Sequence, residues 1–282
     1  MTWRIENGDC LDMLPAVPAG SIDAVITDPP YPCIRRPYGR LAEAEWHDLM
    51  DGVVAQVRRV LRPSGSAVFV LQPNSRRVGE MRLWPWEFLL RTAKDWNLIQ
   101  DVYWWNHAAM PTVHVRRENG LLRPSVKLCL WFGPPDCWRD QRAVLWRPSV
   151  RVLAERLEDR CLRRQPSGYT VRRGRAKQAV LERGGSTPFN LIPLANTDSV
   201  SSSGRHGHPA GTPRQLCDWW VRYICPPFGV VLDPFAGAGT VGEAAVRNGR
   251  SYVGIEKEGK YVEVARRRLE GVATETTPAS LS

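Results

Sequence analysis

Apolar and polar positions alternate between two rhythms along this chain. Ile22-Asp23-Ala24-Val25-Ile26-Thr27 is a short, nearly continuous apolar run, the pattern of a strand covered on both faces. From Leu41 to Leu61, Trp46, Leu49, Met50, Val53, Val57, Val60 and Leu61 recur at helical spacing, which predicts an amphipathic helix. Arg62-Pro63-Ser64-Gly65 then reads as a break, and Ala67–Leu71 as the next strand. Trp84–Trp96 predicts a helix with Pro85 in its first turn, where the missing N–H costs nothing. Leu98–Trp105 and Val126–Phe132 predict further strands.

Past Gly133 the rhythm weakens. Residues 134–205 hold few long apolar runs and much Arg, Pro, Gly and Ser. Regular patterning then returns. Arg214–Cys225, Thr240–Asn248 and Lys260–Glu270 predict helices, and Val230–Asp233 and Tyr252–Glu256 predict strands. Residues 271–282 are small and polar, the composition of a frayed tail. Strands alternating with helices predict an α/β fold, a mostly parallel sheet with helices on both faces. On this basis residues 1–133 and 206–270 are two parts of one core, and 134–205 is an insertion into it.

Charge changes the picture. The 282 residues carry a formal net charge of +10 with a pI near 9.6, and most of the excess lies between Asp136 and Arg183. A basic insertion points to a polyanionic partner, nucleic acid first. The 7 cysteines lack any C-x-x-C pair, so neither a disulfide framework nor a zinc site is expected. The chain shows no run long enough to span a membrane and no signal-peptide h-region, so a cytoplasmic protein is expected.

Two short segments carry the chemistry. Asp28-Pro29-Pro30-Tyr31 directly follows the first strand. Two prolines fix φ and remove two donors, so the turn offers acceptors: backbone carbonyls and a carboxylate, beside an aromatic ring. That set suits a planar ring bearing an NH2 group, such as a nucleobase. The second segment is Asp233-Pro234-Phe235-Ala236-Gly237-Ala238-Gly239-Thr240, a strand end, a glycine turn and a helix start. Glycines let a backbone come close to a ligand. Glu256, ending the next strand, stands where a ribose hydroxyl is usually held. Taken as G-x-G followed by Glu243, the turn favours an adenosine without phosphates over a pyrophosphate.

In this order the segments resemble the amino-methylating DNA methyltransferases of the β arrangement, where D-P-P-Y precedes F-x-G-x-G. Asn7-Gly8-Asp9-Cys10, Ser21–Tyr31, His208-Pro209 through Pro213, Leu232–Thr240 and Gly254-Ile255-Glu256 carry the match. The resemblance implies a Rossmann-like fold with permuted motif order and S-adenosyl-L-methionine as methyl donor. It implies a cofactor pocket shaped by Asp9, Cys10, Asp28, His208, Pro209, Asp233, Pro234, Phe235, Gly237, Gly239, Thr240 and Glu256. It also implies catalysis by Asp28, Pro29, Pro30 and Tyr31. Asp28 and the Pro29 carbonyl would accept the two N–H bonds of an exocyclic amino group, and Tyr31 would stack on a base flipped from the duplex. One departure stands out. The family's segment usually ends in Lys-Pro, whereas this chain has Thr212-Pro213, which removes a cation and leaves that segment's cofactor contacts open.

The resemblance makes double-stranded DNA the substrate, with adenine N6 favoured over cytosine N4 because Asp28 is commoner among adenine enzymes. A catalytically inactive DNA-binding relative is the non-enzyme alternative, and methylation of RNA or of a protein glutamine is a third. A homodimer and a cognate restriction nuclease stay open as partners. Arg163, Arg164, Arg172, Arg173 and Arg175 are the candidate DNA contacts in the insertion. Pro32-Cys33 resembles the nucleophile dipeptide of ring-carbon cytosine methyltransferases, but the other segments of those enzymes are missing, so Cys33 is expected to be incidental. His206 and His208 form H-x-H without a third ligand nearby, so no metal is expected.

Overall fold

The computed structural model describes residues 2–34, 39–109, 119–147, 163–164, 170–171, 180, 182–196 and 212–276. The strands are β1 (Trp3–Asn7), β2 (Ile22–Thr27), β3 (Leu61–Leu71), β4 (Ser75–Arg77), β5 (Glu80–Met81), β6 (Leu98–Trp105), β7 (Val126–Phe132), β8 (Arg163–Arg164), β9 (Thr170–Val171), β10 (Leu191–Pro193), β11 (Val230–Asp233) and β12 (Ser251–Glu256). The α-helices are α1 (Cys10–Met13), α2 (Glu43–Val60), α3 (Trp84–Thr92), α4 (Arg214–Ile224), α5 (Thr240–Arg247) and α6 (Gly259–Thr276).

One 8-stranded sheet has the order β1-β12-β11-β2-β3-β7-β6-β10. Within it β7 is antiparallel to both neighbours, and the other adjoining pairs are parallel. Helices α1, α2 and α3 pack together on one face, and α4, α5 and α6 on the other. Coverage on both faces explains why all six residues of β2 are buried. Trp46, Met50, Val53, Val57 and Val60 form the stripe by which α2 packs on the sheet. Trp46, Trp84, Phe88, Phe69 and Phe132 meet mostly edge-on beneath it. Fully burying each such ring contributes about 2–3 kcal/mol.

The topology places the site. From β2 the chain crosses by α2 to β3, and from the adjacent β11 it crosses by α5 to β12 on the other side. Crossovers that diverge from neighbouring parallel strands leave a crevice at the strands' carboxyl ends. Residues 28–31 and 233–239 follow those two ends.

Several boundaries differ from expectation. The break expected at Arg62–Gly65 lies inside β3, where pairing jumps from Ile22↔Leu61 to Ala24↔Ser66. The extra residues form a bulge, so the strand bends without ending. Helix α3 stops at Thr92, short of Trp96, and α6 continues to Thr276, into the stretch expected to fray. Strands β1 and β10 were not expected. Each buries a single side chain, Ile5 and Ile192, so neither leaves an apolar rhythm to see.

Met1–Arg139 with Asn190–Ser282 form one compact unit containing the sheet, and Asp140–Phe189 form a second. The expected insertion, 134–205, is wider than this second unit. Within it Trp146 bridges to Ser186 and meets Phe189 edge-on at 5.6 Å. Strands β8 and β9 pair antiparallel there. No helix among the described residues is long and apolar enough to cross a membrane.

Candidate active site

β2 delivers Asp28 to the sheet's carboxyl edge. The Tyr31 hydroxyl donates to Asp28 Oδ1 at 2.5 Å. The Thr212 hydroxyl donates to Oδ2 at 2.6 Å, and Lys127 Nζ donates to the same oxygen at 3.2 Å. Lys127 also donates to the Tyr31 hydroxyl oxygen at 3.0 Å. The turn itself is pinned by side chains. Trp46 Nε1 donates to the Pro30 carbonyl at 2.6 Å, and Asn74 Nδ2 to the Pro32 carbonyl at 2.9 Å. With φ fixed by two prolines and carbonyls tied down, the turn is held rigid. The Tyr31 ring lies 5.6 Å from that of Trp84.

β11 delivers a different arrangement. Asp233 is 3% exposed. Thr27 Oγ1 donates to its Oδ1 at 2.7 Å, as does the Phe235 amide at 3.1 Å. Burial pushes this carboxyl up to about 7, against the pull of the Thr27 and Phe235 hydrogen bonds. The glycine turn then needs left-handed backbone at Gly237 (φ 51) and Gly239 (φ 77). A Cβ on Gly239 would stand 2.9 Å from the Ala265 Cβ of α6. Arg268 of α6 braces the turn from behind, donating to the Ala238 carbonyl and Thr240 Oγ1 at 3.0 Å and to Glu243 at 2.6 Å.

Gly242 stands three residues after Gly239 and completes G-x-G-x-x-G. This corrects the expectation drawn from Glu243. A Cβ on Gly242 would lie 2.6 Å from the Tyr252 ring, the close helix–strand approach that a third glycine serves. The spacing therefore does not discriminate against a pyrophosphate.

At the end of β12 the Glu256 carboxylate accepts from the Gly237 amide and from the Glu258 amide, both at 2.8 Å. Burial raises its carboxyl above the ordinary glutamate value. These amides do not exhaust the carboxylate's roughly four acceptor positions, which leaves capacity for a hydroxyl group. Asp9 caps α1 through the Leu11 amide at 3.0 Å and pairs with Lys257 at 3.0 Å. Burial opposes its charge, but the amide and the ammonium outweigh burial and lower its pKa.

Both strand ends open into one cavity of about 530 Å³. Of the residues singled out from sequence, Asp9, Cys10, Asp28, Pro29, Pro30, Tyr31, Asp233, Pro234, Phe235, Gly237, Thr240 and Glu256 line it. Gly239 lies behind the wall, packed on α6. His206, His208, Pro209, Arg172, Arg173 and Arg175 lie outside the described residues. Arg163 and Arg164 form β8, paired with Val171 and Thr170. Cys33 does not line the cavity; its thiol lies 3.9 Å from Glu43. No group of three or more metal-ligating side chains occurs among the described residues. Sequence reasoning missed Lys127, Trp46 and Lys257. Lys127 had a signal, a lone charge in the otherwise apolar run Val126–Phe132.

The profile of a family described as DNA methylase matches residues 22–267. The type II methyltransferase M.PvuII of Proteus hauseri is 26% identical over 274 residues, covering 90% of this chain and 80% of that one. A solved structure described as PvuII DNA methyltransferase (cytosine-N4-specific) superposes with a TM-score of 0.72 at 22% identity, covering 97% of this chain and 91% of the other. The M1.HpyAVI–SAM complex gives a TM-score of 0.58 at 20% identity, covering 95% and 99%.

Proposed function

The chain belongs to this DNA methylase family, and from that premise we propose that it methylates the exocyclic N6 of a flipped-out adenine in double-stranded DNA, using S-adenosyl-L-methionine. One observation carries the reading. Asp28–Tyr31 and Asp233–Ala238, the acceptor-rich turn and the glycine turn, line the same cavity where the crossovers from neighbouring strands diverge.

The wall fits a nucleoside-bearing cofactor. Phe235 offers an aromatic face, Gly237 lets the backbone approach, and Glu256 keeps acceptor capacity for ribose hydroxyls. Asp9, Cys10, Pro234 and Thr240 complete this side, and Asp233 and Gly239 shape the turn that presents it. His208 and Pro209 belong to this group by resemblance. When bound, S-adenosyl-L-methionine supplies an electrophilic methyl on a sulfonium.

The chain's own residues act on the base. Its amino nitrogen is a weak nucleophile because the lone pair is delocalised into the ring. Asp28 and the Pro29 carbonyl accept its N–H bonds, which turns the lone pair out of the ring plane. Catalysis is then positioning plus electrostatics. Asp28 takes up the proton released as the new N–C bond forms, and passes it to water. Tyr31 stacks on the extruded ring. Arg163, Arg164, Arg172, Arg173 and Arg175 hold DNA phosphates.

Asp28 favours adenine. Cytosine N4 is the second reading, favoured by the likeness to a structure described as cytosine-N4-specific. Nucleoside mass spectrometry on DNA from a methylase-free bacterium expressing this chain separates them. N6-methyladenine is expected. N4-methylcytosine would establish the second reading, and neither modification would overturn both.

A further inference from the structure

The carboxylate at the centre of the site is held by a cation that the motifs do not contain. Among the described residues Asp28 accepts three hydrogen bonds, from Tyr31, Thr212 and Lys127. Lys127 comes from β7, a strand outside both motif segments. Its side chain is 16% exposed and its Nζ lies 5.0 Å from the Trp104 ring centroid and 5.3 Å from that of Tyr31. An ammonium this sheltered is costly unless a carboxylate and ring faces compensate it. Strand β7 otherwise turns inward as an apolar run from Leu128 to Phe132, so Lys127 is a charge placed against the pattern of its own element.

Donor and acceptor chemistry has two consequences here. An ammonium has no acceptor, so its contact with the Tyr31 hydroxyl oxygen at 3.0 Å makes that oxygen an acceptor toward Lys127. The hydroxyl proton is then directed at Asp28 Oδ1 at 2.5 Å, a much nearer acceptor than the Val70 carbonyl at 3.4 Å. A carboxylate offers about four acceptor positions. Three are filled here, which leaves one for a substrate N–H. The second consequence concerns Thr212. Its Oγ1 and Lys127 Nζ converge on the same oxygen, Oδ2 of Asp28. Positions 212 and 127, far apart in the chain, therefore both reach the same carboxylate oxygen.

We propose that Lys127 is a positioning residue for methyl transfer, one that compensates the charge of Asp28 and fixes its orientation, and that it supplies from β7 the cation that Thr212 does not supply from its own segment. This rests on the methyl-transfer reading above.

The test uses the full chain, with kcat, KM for DNA, calorimetric binding of S-adenosyl-L-methionine and thermal melting. K127Q is expected to lower kcat about 100-fold, the scale of losing one preorganised electrostatic group, with cofactor affinity unchanged. Adding T212K to K127Q is expected to recover at least about tenfold, because the cation returns to Oδ2 from position 212. A residue that merely fills space would not be rescued from a different segment. Should K127Q melt early, K127R carries the test: its guanidinium keeps the charge and the donors toward Oδ2, so kcat stays within about tenfold of wild type. K127Q at wild-type kcat, a loss that T212K leaves in place, or a K127R as impaired as K127Q each overturns the proposal. Wild-type protein that methylates no DNA overturns the underlying reading instead.

Discussion

β2 and β11 lie side by side in the sheet, and each leads into an Asp-Pro pair, Asp28-Pro29 and Asp233-Pro234. After Asp28 comes a second proline, and the carboxylate faces the cavity with three donors on it. After Asp233-Pro234 comes a phenylalanine and a glycine turn, and the carboxylate is buried against Thr27 and the Phe235 amide. One turn subtracts donors and presents acceptors. The other uses its aspartate as an internal tie and frees the backbone to bend. The same dipeptide therefore serves opposite ends, and the residues just after it decide between them.

The contrast breaks most sharply at Asp28. Asp28→Ala is expected to lower methyl transfer to DNA about 1000-fold, within the range for a lost general base and anchor, while calorimetry still detects cofactor binding. Lost binding with an intact fold would mean that Asp28 belongs to the cofactor side, and the contrast would fail. On the other turn the expected damage is to structure. Gly239→Ala forces a side chain into left-handed backbone with φ 77 and to 2.9 Å from Ala265. A cost of about 2–3 kcal/mol is expected, read as a lower urea midpoint; an unchanged midpoint would show that the turn tolerates a Cβ.

A pH-dependent effect sharpens the role of Asp233. Its folded value of about 7 lies above the ordinary 3.8 because of burial. Between those values the folded protein holds a proton that the unfolded chain has released. Stability from this group therefore falls as pH rises from 3.8 to about 7, and is level above that. Asp233→Asn keeps an acceptor for Thr27 and Phe235 but cannot titrate. A slope of about 1 kcal/mol per pH unit should disappear from the denaturation midpoints over that window. An identical slope in the variant would show that Asp233 is charged in the fold.

Much of this was legible because the signals are local. β2, β7 and β11 are apolar runs, α2 has a clean stripe, and both turns are marked by proline or glycine. Pro63 and Gly65 punctuate a break and a bulge alike, so the bulge in β3 has no sequence signal of its own. The spacing of Gly242 is plain in the sequence, but its purpose depends on Tyr252, whose ring packs against it. Lys127 and Thr212 could not be joined to Asp28 from sequence. The three positions are far apart in the chain, and nothing local says that β7 turns one lysine toward the end of β2. The roles of the basic insertion's arginines stay on the level of charge.

The pairing of β2 with β11 also has a cost in time. Thr27 and Asp233, bonded at 2.7 Å, are 206 residues apart in the chain. At about 5–20 residues per second a ribosome needs roughly 10–40 s to make that stretch. Throughout that interval β2 has emerged without its neighbour, an apolar strand with an open edge and a natural client for a chaperone. Trp46, Asn74 and Lys127 can hold the turn at Asp28 early, but the Thr212 donor and the Thr27–Asp233 tie arrive only with that later stretch.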